Sequence, residues 1–231
     1  MDSSVTIERD SRLLFNDLAY TVNELDIIEY CEAFLTKLRV VRYFQTECLR
    51  LAKELMHTFM KEKREEKVVL VSTGALFFRV QIHLECFFYF TTSALDILAK
   101  LTREFYPKKK MSISGRNFRR IIAYFSNTDL TLDLDFSRLI GTQKDWILNV
   151  YNNRDTFAHF DAVFVGFGHG GKIKFETRKP KETRMFREKE FEDLSDYLKQ
   201  TTHNLYNFLD LYSKHFRKKV PKSDRTRILG G

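Results

Sequence analysis

Apolar side chains recur every three or four residues along most of the chain, which is the spacing of helices that bury one face. Leu38, Val41, Cys48 and Leu51 show this spacing within residues 11–67, a stretch that contains neither proline nor glycine. Because these two residue types most often interrupt helices, the stretch is predicted to be helical almost throughout.

The other elements follow from the points where the pattern stops. A short helix is expected before a long one, because Thr21-x-x-Glu24 has the form of a capping box. Pro107 is expected to end the next helix, and Thr142 to cap a later one. The predicted helices cover about residues 8–20, 21–67, 75–106, 114–125, 142–161 and 188–216, and a β-hairpin is predicted at about 162–178.

The helix predicted over 75–106 is unusually aromatic. Its rings are expected to pack between helices, because large apolar side chains supply much of the burial in a core. These rings belong to Phe77, Phe78, Phe87, Phe88, Tyr89 and Phe90.

Composition agrees with a mainly α fold. The 231 residues include only three prolines and nine glycines, and 30% of them are charged. This length fits a single helical domain, predicted over residues 1–218, with the hairpin at 162–178 as an insertion. Residues 219–231 are expected to form a basic flexible tail.

Cysteine usage and hydropathy predict a cytoplasmic protein without a membrane partner. The three cysteines lack paired spacing and indicate reduced thiols, and the first ten residues do not form a secretory signal. The most apolar stretch, residues 75–101, is interrupted by Arg79, Glu85 and Asp96, so no spanning helix is expected there. The net charge of +8 would attract a polyanion such as RNA.

No metal or cofactor is predicted. The histidines are scattered without metal-ligand spacing, and the cysteines lie on different predicted helices. The acidic loop 127–135 lacks the central glycine and terminal glutamate of an EF-hand. The glycines at 168–171 lack the ending of a phosphate-binding loop, so a hairpin turn accounts for them better.

A polar cluster, RDTFAH, runs from Arg154 to His159 in the predicted helix 142–161. Successive helical residues advance by about 100°, so Arg154, Asp155 and His159 fall within about 140° of one another. Asn152 and Tyr151 fall on the same broad face, whereas Trp146, Val150 and Phe157 fall elsewhere. This face is therefore expected to point outward, toward solvent or a partner.

Spacing alone does not distinguish this cluster, because Arg50 and His57 also stand at a related spacing, with six intervening residues instead of four. There Leu51 follows the arginine, whereas Asp155 follows Arg154. We interpret the Arg50 pair as an ordinary helix surface, and the Arg154 cluster as the candidate site.

The segment RDTFAH resembles the Arg-x4-His motif of HEPN-domain ribonucleases, in which a polar residue usually follows the arginine. The resemblance covers about residues 8–218, although only the motif is specific. It implies a bundle of roughly five helices that forms a homodimer through the motif helix. Two motifs would then face each other across a positively lined cleft.

The resemblance also implies a metal-independent endoribonuclease. A ribose 2′-OH attacks the adjacent phosphorus and leaves a 2′,3′-cyclic phosphate and a 5′-OH. His159 would transfer protons, since histidine titrates near neutral pH, and Arg154 would bind phosphate oxygens. Asp155 would position His159 or Arg154, and Asn152 would orient the phosphate.

Further contacts and partners are expected on the same basis. Arg116, Arg119 and Arg120 are candidates for binding the RNA backbone. One HEPN subgroup, toxins paired with small nucleotidyltransferases, carries a tyrosine two residues after the histidine. That position is Asp161 here, which argues against regulation of that kind. A toxin or phage-defence role with an antitoxin partner stays open.

A second class of function stays open as well. The alternative is that the chain is a catalytically inactive HEPN-like module that binds RNA or protein. The basic surface would serve such binding as well as it would serve cleavage. The two classes differ in one structural feature. In an active dimer, the two His159 side chains converge on one cleft.

Overall fold

The computed structural model describes residues 25–64, 72–106, 117–126, 133–159, 165–168, 171–178 and 189–218. This part of the chain is mainly α, as predicted, with a small antiparallel sheet. Its elements are α1 (Leu25–Arg64), α2 (Ser72–Glu104), α3 (Phe118–Phe125), α4 (Leu134–His159), β1 (Val165–Phe167), β2 (Ile173–Arg178), β3 (Lys189–Asp193) and α5 (Leu194–Arg217).

The predicted long helices and the hairpin are present, whereas several boundaries differ. Helix α4 begins at Leu134 and not near Thr142. Asp133 precedes it, and its Oδ1 accepts a hydrogen bond from the backbone N–H of Phe136 at 3.0 Å, which is how an N-cap acts. Thr142 lies inside the helix, where its hydroxyl donates to the carbonyl of Leu139. The helix predicted over 8–20 and the capping box lie outside the described residues.

The sheet has a third strand that the sequence pattern did not predict. The strand order is β1-β2-β3, with Val165 opposite Phe175 and Glu176 opposite Phe191. Strand β3 occupies residues predicted as the first turn of the last helix, and α5 begins after Asp193. The Oδ1 of Asp193 accepts a hydrogen bond from the N–H of Asp196 at 2.9 Å and caps the helix there.

The described residues fall into two compact units. The first unit takes the described parts of 1–38, 93–147 and 203–231, and the second takes those of 39–92 and 148–202. Each of the four long helices has residues in both units. The single domain predicted over 1–218 stays a prediction.

The first unit has an aromatic core around Phe136, which is fully buried. Its ring centroid lies 4.8 Å from that of Phe125 and 5.0 Å from that of Phe216. Tyr212 is also buried, and its hydroxyl lies 3.0 Å from the hydroxyl of Thr102. This pairing satisfies two polar groups that would otherwise be costly to bury.

The second unit contains the sheet and its own aromatic core. Phe88 is fully buried, and its ring centroid lies 5.4 Å from that of Phe157 and 6.1 Å from that of Phe175. Phe167 of β1 stacks on Phe59 of α1 at 3.8 Å between centroids. Helices α1, α2 and α4 and the sheet therefore share this core.

The aromatic residues of α2 divide between the core and the surface. Phe87 and Phe88 are fully buried, as predicted, but 62% of Phe78 and 60% of Tyr89 are exposed. The expectation that all six rings pack between helices was wrong for these two. Within the described residues, no helix is both long enough and apolar enough to cross a membrane.

Candidate functional site

The candidate motif occupies the last two turns of α4, which ends at His159. The helix is anchored here by a stripe of side chains that face the interior of the second unit. Val150, Tyr151, Asn153 and Thr156 are all buried. Three of these four carry a polar group, and a buried polar group needs a hydrogen-bond partner inside the protein.

Asn153 finds its partners in a triangle of hydrogen bonds with Asn149 and Tyr197. The Nδ2 of Asn153 donates to Asn149 Oδ1 at 3.0 Å and to Tyr197 Oη at 2.9 Å. The Tyr197 hydroxyl in turn donates to Asn149 Oδ1 at 2.6 Å. Burial raises the pKa of this hydroxyl, so it remains protonated and able to donate. The triangle joins the motif helix α4 to α5.

Arg154 and Asp155 are neighbours on α4, and their charged groups lie close to each other. Arg154 Nη1 lies 3.4 Å from Asp155 Oδ1, and the exposed fractions of the two side chains are 33% and 23%. The Nε of Arg154 is buried and has no hydrogen-bond partner among the described residues. The Arg154 side chain is thus partly buried, at its Nε, and partly exposed.

This half-burial differs from the outward orientation expected from the helical wheel. Tyr151 was assigned to the exposed face, but it is fully buried. Arg154 lies between Val150 and Tyr151 on the wheel, and both of these neighbours are buried. The side chains of Arg154 and Asp155 are 33% and 23% exposed and Ala158 is exposed, so the accessible sector of α4 is narrower than the sequence indicated.

The other predicted site residues are placed as follows. Asn152 is half-buried on α4, and its carbonyl accepts the hydroxyl of Thr156 at 2.9 Å. Arg119 is half-buried and Arg120 is exposed on α3, which belongs to the first unit. Arg116 and the side chain of His159 lie outside the described residues.

Arg50 and His57 behave as a helix surface, which supports excluding them. Arg50 donates to Glu47 and Glu54, both at 3.0 Å, within α1. The hydrogen bond from Arg50 lowers the pKa of Glu47. Pairs of this kind, three and four residues apart, are typical of solvated helix faces.

A cavity of about 590 Å³ lies within the second unit, between α1, the start of β2 and the junction of β3 with α5. Its walls are mainly apolar and include Met56 and Ile173. Lys172 at its edge lies 3.4 Å from carboxylate oxygens of Asp193 and Asp196, and these charges raise its pKa. None of the described residues that line it belongs to the motif.

A polar cluster in the first unit was not predicted from the sequence. Asp133 Oδ2 accepts a hydrogen bond from the Tyr106 hydroxyl at 2.8 Å and lies 2.9 Å from His215 Nε2. We call these three residues the Asp133 cluster. They are separated by 27 and 82 positions along the chain, so no local spacing could have revealed them. Asn149 and Asn153, in contrast, stand four residues apart on one helix, which is a visible signal.

Within the described residues, no group of three or more histidine, cysteine or acidic side chains could hold a metal ion. Comparison of the chain with protein-family models, with curated proteins and with solved structures finds no match. The resemblance to HEPN domains stays a prediction that rests on the motif.

Proposed function

We propose that this protein is a metal-independent endoribonuclease of the HEPN type that uses Arg154 and His159. The observation that carries the proposal is the environment of Arg154. Its side chain is 33% exposed and lies beside Asp155, so part of the side chain is accessible to a ligand. A phosphate group is the ligand that fits such a guanidinium best, because its oxygens can accept two parallel N–H donors.

The reaction follows from these residue types. A bond forms between the ribose 2′-oxygen and phosphorus, and the bond from phosphorus to the 5′-oxygen breaks. One proton leaves the 2′-OH and one is delivered to the departing 5′-oxygen, and His159 is assigned these transfers. Arg154 stabilises the negative charge that develops on the phosphorane oxygens, and Asp155 holds Arg154 in place.

A homodimer through α4 is part of the proposal. The two proton transfers act at opposite sides of the phosphorus, and a second copy of the chain would supply a second His159. The hydrogen-bond triangle of Asn149, Asn153 and Tyr197 supports such a site, because it ties α4 to α5 close to Arg154. A rigid helix is the better support for a catalytic constellation.

The test is cleavage of a labelled single-stranded RNA in EDTA, with analysis of the product ends. We expect products that end in 2′,3′-cyclic phosphate, and we expect Arg154→Ala and His159→Ala each to lower the rate by about a hundredfold or more. The control is Arg50→Ala together with His57→Ala, which removes the same residue types from another helix. Equal loss in the control, or cleavage that needs a metal ion, would contradict the proposal.

The second candidate function is RNA binding without cleavage, and an aromatic surface of the second unit favours it. Tyr43 is 58% exposed, Phe78 62% and Tyr89 60%. The two tyrosines are connected through Phe44 and Phe90, whose rings stack at 5.5 Å. Exposed rings of this kind stack on unpaired bases, with about 1–3 kcal/mol per base.

Cations flank this aromatic surface. Arg79 is exposed next to Phe78, and Arg39 is exposed one helical turn before Tyr43. If RNA binds but is never cut, and Tyr43→Ala and Tyr89→Ala weaken the binding while Arg154→Ala does not, the binding function replaces the catalytic one. A falling affinity with rising salt identifies the phosphate contacts.

A further inference from the structure

The Asp133 cluster forms part of the wall of a cleft of about 890 Å³ in the first unit. The first turns of α4 line one side and the last turn of α5 lines the other. Clefts of this volume are in the range that holds small ligands. Asp133 and His215 both line it, although their side chains are only 9% and 13% exposed.

Asp133 orients His215 within this wall. Its Oδ1 accepts the N–H of Phe136, and its Oδ2 accepts the Tyr106 hydroxyl and faces His215 Nε2. A carboxylate partner requires a proton on Nε2, so the tautomer of the neutral imidazole is set by this contact. Burial and the bond to Asp133 raise the pKa of Tyr106, which keeps that hydroxyl a donor.

The charges along the cleft favour an anion. Arg138, Lys214 and Lys218 line it, against the carboxylates of Asp133 and Asp135. Arg138 and Lys214 are paired with Asp135 and Asp210, so Lys218 is the lining cation that has no carboxylate partner among the described residues. Asp133 is already engaged by three donors, so it competes weakly for a cation.

Two of these cations are paired with carboxylates. Arg138 Nη1 lies 3.4 Å from Asp135 Oδ1, and Lys214 Nζ lies 2.7 Å from Asp210 Oδ2. Both side chains remain more than half exposed, so they are accessible to a ligand.

The cleft also offers apolar surface. Leu134 is 60% exposed at the start of α4, and Leu139 and Leu211 line the cleft with it. An inorganic anion would leave these leucines in water, whereas a ligand with an apolar body would cover them. The charged and the apolar walls together define an amphipathic ligand.

We propose that this cleft binds a small organic anion, in which a phosphate or carboxylate group is joined to an apolar or aromatic body. Lys214, Lys218 and Arg138 bind the anionic group, His215 contributes a polar contact from the wall, and the leucines cover the apolar body. None of the residues that line the cleft belongs to the motif, so this proposal does not depend on the ribonuclease proposal.

The test is isothermal titration of the full-length protein with phenyl phosphate, phenylacetate and inorganic phosphate. We expect at least one of the two aromatic probes to bind with a Kd of about 1 mM or lower, and inorganic phosphate to bind at least about tenfold more weakly. The aromatic probe that binds more tightly identifies the anionic group. Absence of binding by both aromatic probes overturns the proposal, and so does equal binding of inorganic phosphate.

Variants locate the binding in the cleft. Lys218→Gln and Arg138→Gln are expected to weaken it about fivefold each, because each removes one charge at the surface. His215→Gln tests the cluster, and if that variant does not fold, the two surface variants still decide. Arg50→Gln, at an exposed arginine outside the cleft, is the matched control. Binding that none of the cleft variants changes would be non-specific and would overturn the proposal.

Discussion

Removing the hydroxyl of Tyr197 tests how the motif helix is held. Tyr197→Phe removes two hydrogen bonds, one to Asn149 Oδ1 at 2.6 Å and one from Asn153 Nδ2 at 2.9 Å. Each bond contributes about 0.5–1.5 kcal/mol net, and one N–H of Asn153 loses its partner. The remaining bond between the two asparagines, at 3.0 Å, limits the loss.

We therefore expect Tyr197→Phe to lower the free energy of unfolding by about 2 kcal/mol. For a chain of this size, that change lowers Tm by roughly 4–8 °C. Urea denaturation followed by circular dichroism measures the first quantity, and a thermal melt measures the second. An unchanged slope of the urea transition would confirm that only stability is altered.

The same substitution at an exposed tyrosine provides the control. Tyr89 is 60% exposed, so Tyr89→Phe is expected to change stability by less than about 0.5 kcal/mol. The pair separates the buried hydrogen bonds from the general effect of losing a phenolic oxygen. If Tyr197→Phe is as stable as the wild type, the triangle does not anchor α4, and the reasoning about the motif helix fails.

Three further predictions concern thiols, pH and backbone conformation. Cys86 is half-buried, whereas Cys31 and Cys48 are buried. One thiol of the native protein should therefore react quickly with a disulfide reagent, and all three thiols should react after denaturation. Three fast thiols in the native protein would contradict the burial. Burial raises the pKa of the Cys31 and Cys48 thiols to about 12. Their contribution to the free energy of unfolding is therefore complete below the unfolded-state pKa of about 8.5, and it is lost as the pH rises toward 12. Urea midpoints that stay constant from pH 8 to 11 would refute this. Gly171 has a φ of +74°, so Gly171→Ala should lower the free energy of unfolding by about 1 kcal/mol. Gly141 lies inside α4 with open space around it, so Gly141→Ala should raise the free energy of unfolding by up to about 1 kcal/mol. A change of the same sign in both variants would contradict this reasoning.

The periodic spacing of apolar residues was sufficient to predict the long helices. Residues 25–64 form one helix because no proline or glycine interrupts them and apolar positions return every three or four residues. The strand pairing of β1 with β2 was also visible, because two short β-type runs flank a glycine-rich turn. These are local properties, and each can be recognised within a window of about ten to twenty residues.

Strand β3 and the start of α4 were not predictable in the same way. The segment Lys189–Asp193 is rich in charged residues and has no strong strand pattern, and it is a strand because it pairs with β2. Helix α4 starts at Leu134 because Asp133 is available as a cap, and that residue is held by Tyr106 and His215. Partners from distant parts of the chain decide such boundaries.

Spacing along the chain was enough to predict that the chain is mainly helical and that Arg154, Asp155 and His159 lie near the end of one helix. Which face of that helix is buried depends on packing in the folded protein. Tyr151 is buried and Arg154 is half enclosed, because the interior of the second unit extends further around α4 than hydrophobicity alone indicates. The meeting of Asp133 with His215 depends likewise on packing between helices, which no local spacing encodes.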